Sequence, residues 1–163
     1  MSQASNIKKI VFVNSEFNKD YVDALHKGAQ NFLAEQGRGA DSIETLWVPG
    51  ALEIPAVVSR LVESDKVEAI ITLGAVIRGE TTHYELVSEN CAARISELST
   101  VSHVPIIFGV LTTENDTQMK QRCGMLEKTE EITGKTLIEN HGEYFAEAAL
   151  KMASTFARAQ ELS

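Results

Sequence analysis

One apolar run of the sequence leads directly into groups that could bind an anion and move a proton. Ala69 to Ile77 is almost continuously apolar, as in a strand that is covered on both faces of a parallel sheet. A polar turn follows, and Thr82 with Glu85 three residues later predicts a capping box that begins a helix. The free N–H groups and positive dipole end of that helix would favour a phosphate. His83 falls at the first helical position, where the same positive end favours a neutral ring that can accept a proton.

The spacing supports a second interpretation equally well. Capping boxes are common in helices that have no catalytic role, so Thr82 could simply begin a helix and His83 could be a surface histidine. The pattern alone therefore leaves a choice between a phosphate site with a base and an ordinary helix start.

Strands and helices alternate along the whole sequence. Apolar runs predict strands at residues 9–14, 42–48, 69–77 and 105–111, and periodic apolar positions predict helices at 20–36, 51–64, 83–99, 115–123 and 142–158. This alternation predicts a parallel sheet with helices on both sides. Ligands of such sheets bind beyond the carboxyl ends of the strands, near the point where the strand order reverses.

Three residues in the predicted loops at that edge could contact a ligand. Phe17 offers a flat apolar face, Asn18 can both donate and accept hydrogen bonds, and Glu53 could accept from an amine-bearing ring. Each also has a structural interpretation, because Phe17 could belong to the core, Asn18 could cap the next helix and Glu53 could complement a helix dipole. For any one of them alone, the structural interpretation is the better one.

Composition narrows the class of protein. The 163 residues are 44% hydrophobic and 23% charged, which predicts one ordinary globular domain. A formal net charge of −8 argues against nucleic acid or an anionic membrane surface as the main partner. Cys91 and Cys123 have no metal-type spacing and give no disulfide framework, and the first residues lack the apolar run of a signal peptide or a membrane span. We therefore expect a cytoplasmic protein with reduced thiols and no metal.

Several motifs together resemble one enzyme family. They are Phe17-Asn18, WVPGALEIP at 47–55, GAVIRGETTHY at 74–84, FGVLTTEN at 108–115 and Gln121-Arg122. In this order and at these intervals they resemble lumazine synthase, in register from about Lys9 to Ala157. The resemblance implies a flavodoxin-like, three-layer α/β/α sandwich with a four-stranded parallel sheet. It also implies that residues 1–163 form a single domain, with residues 1–8 as an N-terminal arm.

The resemblance implies a condensation of two small-molecule substrates. In this family 5-amino-6-(D-ribitylamino)uracil reacts with 3,4-dihydroxy-2-butanone 4-phosphate to give 6,7-dimethyl-8-ribityllumazine, phosphate and water, the penultimate step of riboflavin biosynthesis. No metal and no organic cofactor is used. Imine formation, elimination and ring closure are proton-shuttling steps, which suits a histidine. An arginine can grip phosphate through two prongs while keeping its charge.

Site residues follow from the same resemblance. His83 would move protons, Arg122 would neutralise the phosphate, Phe17 would stack on the heterocycle and Glu53 would bind a ribityl hydroxyl. Phe108 and Arg122 would come from a neighbouring subunit of a homo-oligomer. The implied substrate-binding residues are Phe17, Asn18, Gly50, Ala51, Leu52, Glu53, Ala75, Val76, Ile77, Gly79, Glu80, Thr81, Phe108, Arg122 and His141.

The sequence departs from the usual family pattern in three places. Glu16 replaces a common arginine, and His141 stands where a lysine is usual. The connection at residues 124–139, GMLEKTEEITGKTLIE, is longer and more charged than in most members. A bulky polar loop at a contact opposes closure of a shell, so we expect a pentamer, with a decamer or an icosahedral shell as the alternative. The rival function is a non-catalytic flavin- or lumazine-binding oligomer on the same fold.

Overall fold

A four-stranded parallel sheet organises the described part of the chain, residues 7–163 of a computed structural model. Its strands are β1 (Lys9–Ser15), β2 (Ile43–Val48), β3 (Val67–Ile77) and β4 (Ile106–Thr113), and their order across the sheet is β2-β1-β3-β4. The four predicted strands are therefore confirmed, with ends that differ by up to two residues. Of the predicted N-terminal arm, residues 1–6 lie outside the described residues.

Helices cover both faces of the sheet, which confirms the three-layer prediction. The helices are α1 (Lys19–Glu35), α2 (Ile54–Val58), α3 (His83–Val101), α4 (Asp116–Arg122) and α5 (His141–Leu162). On one face, Phe12 and Leu73 are buried in a core with α1, α4 and α5. On the other face, Val13 and Ile70 are buried in a second core with α2 and α3. Successive strand residues enter opposite cores, which explains why the central strands are apolar almost throughout.

The predicted helix at residues 51–64 is much shorter in the structure. Residues 51–53 form a 3₁₀ turn and α2 contains only Ile54–Val58, with Pro55 in its first turn, where the missing N–H is tolerated. After Val58 the backbone continues in tighter turns with hydrogen bonds between residues three apart, such as the one that Leu61 N donates to Val58 O. Neighbouring β-branched residues in α2 also lower its helical propensity.

The predicted capping box at the start of α3 is wrong, although the helix does begin at His83. Thr82 lies at the cap position and its side chain makes no capping hydrogen bond. Glu85 does not reach back to Thr82, because its carboxylate pairs with Arg78 instead. The ion pair across the loop is thus formed in preference to the local capping hydrogen bond.

The long connection between the last two helices contains a small antiparallel hairpin. Its strands are β5 (Lys128–Thr129) and β6 (Thr136–Leu137), and Gly134 has the positive φ of 67° that the turn needs. Ile132, at the tip, is 99% exposed. None of the described helices is long and apolar enough to span a membrane.

Candidate functional site

A crevice opens where the strand order reverses. From β1 the chain crosses to β2 on one side and then returns to β3 on the other side, so the loops after β1 and β3 diverge. The crevice holds a cavity of about 390 Å³. Its lining residues are Ser15, Phe17, Gly50, Ala51, Leu52, Glu53, Ala75, Val76, Ile77, Gly79, Thr81, His83, Tyr84 and Val87.

Three separate loops bring most of the predicted residues to this cavity. The loop after β1 supplies Phe17, which is 64% exposed and free to receive a flat ligand. The segment after β2 supplies residues 50–53, and the end of β3 with the start of α3 supplies residues 75–77, Gly79, Thr81 and His83. The cavity thus combines apolar walls with a few polar groups, which is the usual character of a small-molecule site.

Asn18 lies beside the cavity and connects two of its walls. Its backbone has left-handed dihedral angles, φ 54° and ψ 44°, which an asparagine tolerates better than most residues. Its side-chain amide donates to the main-chain oxygen of Ala75 over 2.9 Å. The side chain therefore does not cap α1, although Asn18 precedes it. It joins the end of β1 to the end of β3.

The loop between β3 and α3 carries the predicted phosphate-binding groups. Gly79 and Thr81 line the cavity, whereas Glu80 is exposed outside the lining. His83 is also exposed, and its backbone N–H donates to the hydroxyl of Thr81 over 3.3 Å. The loop therefore presents backbone groups and an imidazole at the mouth of one cavity.

Three lining residues were not among those predicted from the sequence. Ser15, the last residue of β1, is 2% exposed and lines the cavity beside Gly50 and Ala75. Tyr84 and Val87 follow His83 on α3. The signal for Ser15 is its place at the carboxyl end of a strand, and the signal for the other two is the three-residue spacing of one helix face.

Five predicted residues do not line this cavity in the single chain: Asn18 and Glu80, described above, and Phe108, Arg122 and His141. Phe108 lies on edge strand β4 and is 37% exposed. Arg122 ends α4, and one of its guanidinium N–H groups donates to the oxygen of Gln118 over 3.1 Å. His141 begins α5.

His141 is less basic than a free histidine. Burial lowers its pKa from the ordinary value, and the positive charge of Arg122 lowers it further, while Glu139 partly opposes both. The distance from His141 Nε2 to the nearest Glu139 carboxylate oxygen is 3.8 Å. The lowered pKa therefore favours the neutral, uncharged form of this side chain at neutral pH.

The two thiols and the side chains of the types that bind metals lie within residues 7–163. No three His, Cys, Asp or Glu side chains in that range are grouped as a metal site requires. Cys91 and Cys123 are both free and buried, and burial raises the pKa of Cys91 to about 11 and that of Cys123 to about 12. Both thiols are therefore protonated at neutral pH and poor nucleophiles.

Comparison with known proteins agrees with the motifs. A family model described as 6,7-dimethyl-8-ribityllumazine synthase matches residues 8–157. A relative from Leuconostoc mesenteroides with the same description is 49% identical over 117 residues, which is 72% of this chain and 75% of the relative.

Proposed function

This chain belongs to the 6,7-dimethyl-8-ribityllumazine synthase family, and we propose that the cavity between the ends of β1 and β3 is its active site. The protein is a transferase of riboflavin biosynthesis that condenses 5-amino-6-(D-ribitylamino)uracil with 3,4-dihydroxy-2-butanone 4-phosphate. The observation that carries the site is the convergence of residues from three distant loops on one cavity of about 390 Å³. We further infer that residues 1–163 form a single domain, because the family match spans residues 8–157.

The pyrimidine would lie in the deep part of the cavity. Phe17 offers a stacking face, and the backbone of Ala75, Val76 and Ile77 offers hydrogen bonds to the ring. Glu53 and the backbone of residues 50–52 would bind the ribityl chain, whose hydroxyls are donors suited to a carboxylate.

The phosphate would bind at the loop of residues 79–81, through backbone N–H groups of Gly79, Glu80 and Thr81. The single positive charge of Arg78 is shared between two carboxylates, Glu85 and Glu114, so this loop and its flanks have a net negative charge. A phosphate here therefore needs a further cation. Arg122 of a neighbouring subunit would supply it through a bidentate contact.

His83 would act as the proton carrier. It lies at the cavity mouth, two residues beyond the phosphate loop, where the departing phosphate and the reacting carbonyl would meet. A histidine takes up and releases protons near neutral pH, as imine formation and phosphate elimination require. Most of the remaining acceleration would come from holding two reactants in one orientation.

The complete site would form at the interface of a homo-oligomer. Phe108 and Arg122 lie outside the cavity of their own chain, and Phe108 is exposed on a sheet edge. His141 of the neighbouring subunit would offer a hydrogen bond in place of the usual lysine charge, because its pKa is lowered. We favour a pentamer, since the hairpin of β5 and β6 carries charged groups and an exposed Ile132, and such a loop would oppose shell closure if it lay at a contact between pentamers. Sedimentation velocity giving a megadalton particle would overturn this assembly.

The decisive experiment combines an activity assay with subunit mixing. Purified protein and both substrates should form the lumazine, detected by its absorbance and fluorescence, faster than the spontaneous background. Arg122→Ala should abolish this rate enhancement, and His83→Ala should reduce it.

Co-assembly of these two inactive or weakened variants tests the interface. A mixed oligomer contains some sites with His83 from one subunit and Arg122 from the next, so activity should recover. Absence of recovery, with mixed oligomers confirmed by mass spectrometry, would place both residues in one chain.

An inactive protein that binds riboflavin tightly and purifies with a yellow colour would instead favour the non-catalytic flavin-binding alternative. We also infer a cytoplasmic location, which fits a small-molecule biosynthetic enzyme whose two buried thiols are free.

A further inference from the structure

We propose that Arg78 is a positioning residue that fixes the phosphate loop from outside, and that it is not itself a phosphate ligand. The inference rests on the proposed placement of phosphate at residues 79–81. It concerns how that loop acquires a fixed shape before the substrate arrives.

The guanidinium of Arg78 joins three parts of the structure around the loop. Its Nε donates to a carboxylate oxygen of Glu114 over 2.7 Å, which reaches the loop after β4. Its Nη1 donates to Glu85 in the first turn of α3. The guanidinium also lies over the ring of Tyr84, 4.3 Å from the ring centroid, and Tyr84 lines the cavity.

The backbone contacts complete the frame. The N–H of Arg78 donates to the oxygen of Thr113 over 2.9 Å, so the start of the loop is fixed to the end of β4. Glu114 is itself held, because its N–H donates to the side chain of Gln118 over 2.9 Å. The N–H of Gln118 in turn donates to the side chain of Asn115, which caps α4. The partner of Arg78 thus belongs to an ordered segment.

Core packing does not hold the loop. Residues 78–83 are all exposed, and a Cβ added at Gly79 would meet no atom within 4 Å. The contacts of Arg78 are therefore the main constraint on both ends of the loop. Backbone N–H groups bind phosphate well only when they already converge, so loosening this frame should weaken phosphate binding in particular.

The arrangement also argues against direct phosphate binding by Arg78. Its charge is offset by two carboxylates, Glu85 and Glu114, and both would have to be released before it could turn to an anion. Exposed ion pairs add little to overall stability. Removing the ion pairs of Arg78 should therefore change the conformation of the loop more than the stability of the fold.

Steady-state kinetics of Arg78→Gln and Glu114→Gln test the proposal. In both variants we expect the KM for the butanone phosphate to rise roughly tenfold, with the KM for the pyrimidine and the melting temperature unchanged. Arg158→Gln is the matched control, because Arg158 forms an exposed ion pair with Glu161 near the end of α5, away from the loop. A direct phosphate ligand would respond differently, since Glu114→Gln would then improve phosphate binding by freeing Arg78. That result, or an equal rise in both KM values, would overturn the inference.

Hydrogen exchange gives a readout that does not depend on turnover. In the full-length oligomer, the amides of residues 79–84 should exchange faster in Arg78→Gln and Glu114→Gln than in the wild type, while those of α5 should not change. Unchanged exchange in the loop would overturn the positioning role even if the enzyme is active. If wild-type protein forms no lumazine, the proposed function fails, and faster loop exchange would still support the role of Arg78 as a brace.

Discussion

The side-chain amide of Asn18 donates to the main-chain oxygen of Ala75 over 2.9 Å, across the point where the sheet reverses its order. This bond joins the loop that carries Phe17 to the strand that forms the opposite wall of the cavity. A residue that the resemblance assigned to ligand binding is thus also a structural link. Two features therefore favour asparagine at this position: the positive φ of the backbone and the hydrogen bond that the side chain makes.

Substitutions at Asn18 should separate these two reasons. Asn18→Gly removes the bond to Ala75 but accepts the left-handed backbone, whereas Asn18→Ala removes the bond and adds backbone strain. We expect both variants to raise the KM for the pyrimidine several-fold, and Asn18→Ala to be less stable than Asn18→Gly by about 1 kcal/mol. Urea unfolding and steady-state kinetics measure the two effects. Equal stability of the two variants would show that the backbone conformation carries no cost.

His83→Ala should slow turnover without abolishing it. The ring lies at the cavity mouth and would carry protons, whereas orientation of the substrates depends on the other lining residues. Single-turnover measurements should show a rate reduced about 10²-fold, with substrate affinities near those of the wild type. A rate equal to that of the wild type would remove His83 from the proton-transfer role.

Much of the fold was predictable because the dominant signal was local. The central strands are buried on both faces, so Ile70 and Ile71 point into different cores and the sequence is apolar without alternation. The length of the helix predicted at residues 51–64 was overestimated, because the prediction relied on apolar spacing and did not weigh the low helical propensity around Pro55. The capping box failed for another reason, since Glu85 found its partner in Arg78, a charge outside its own helix.

The candidate site likewise has one part that was predictable from the sequence and another that was not. Loops that follow β1, β2 and β3 meet at one edge in any sheet of this topology, so a cavity lined by Phe17, Glu53 and His83 could be expected from order alone. Ser15 was missed because its position at a strand end is its only signal, and a small side chain adds no chemical one. The contact from Asn18 to Ala75 could not be predicted, because it joins residues 57 positions apart through a side chain whose orientation depends on tertiary packing.

The crossing of α1 and α5 should be intolerant of added volume. A Cβ at Gly142 would overlap the backbone oxygen of Leu25, which cannot move without displacing α1. The side chain of Asn140 fills the adjacent space, where it donates to Ala24 O over 2.9 Å and accepts from Gly142 N over 2.8 Å. Gly142→Ala should therefore lower the free energy of unfolding by roughly 1–3 kcal/mol, despite the higher helical propensity of alanine.

Urea unfolding checks this prediction at fixed protein concentration. Ser154→Ala, at an exposed position of the same helix, is the matched control and should change stability little. A Gly142→Ala variant as stable as the wild type would mean that the two helices can separate at no cost.

Stability should fall as the pH falls below about 6.5, in part because of His26. Burial lowers the pKa of His26 from its ordinary value, while Asp23 opposes and Lys19 reinforces the effect. Its Nδ1 lies 3.0 Å from the side-chain amide nitrogen of Asn14, which is fully buried. A neutral ring can accept from this amide, whereas a protonated ring would set two donors against each other. The unfolded chain therefore binds the proton more readily than the folded one, so the free energy of unfolding is largest above the unfolded pKa and declines below it.

His26→Gln removes this titration while keeping a polar side chain. Unfolding free energies measured between pH 8 and pH 5.5 should depend less on pH in His26→Gln than in the wild type, with a residual slope from His141, whose pKa is also lowered. Ser154→Ala, at an exposed position without a titratable group, should leave the wild-type slope unchanged. An identical slope in His26→Gln would show that the contact with Asn14 does not depend on the protonation state of the ring, and a steeper one would mean that His26 binds its proton more tightly in the folded chain.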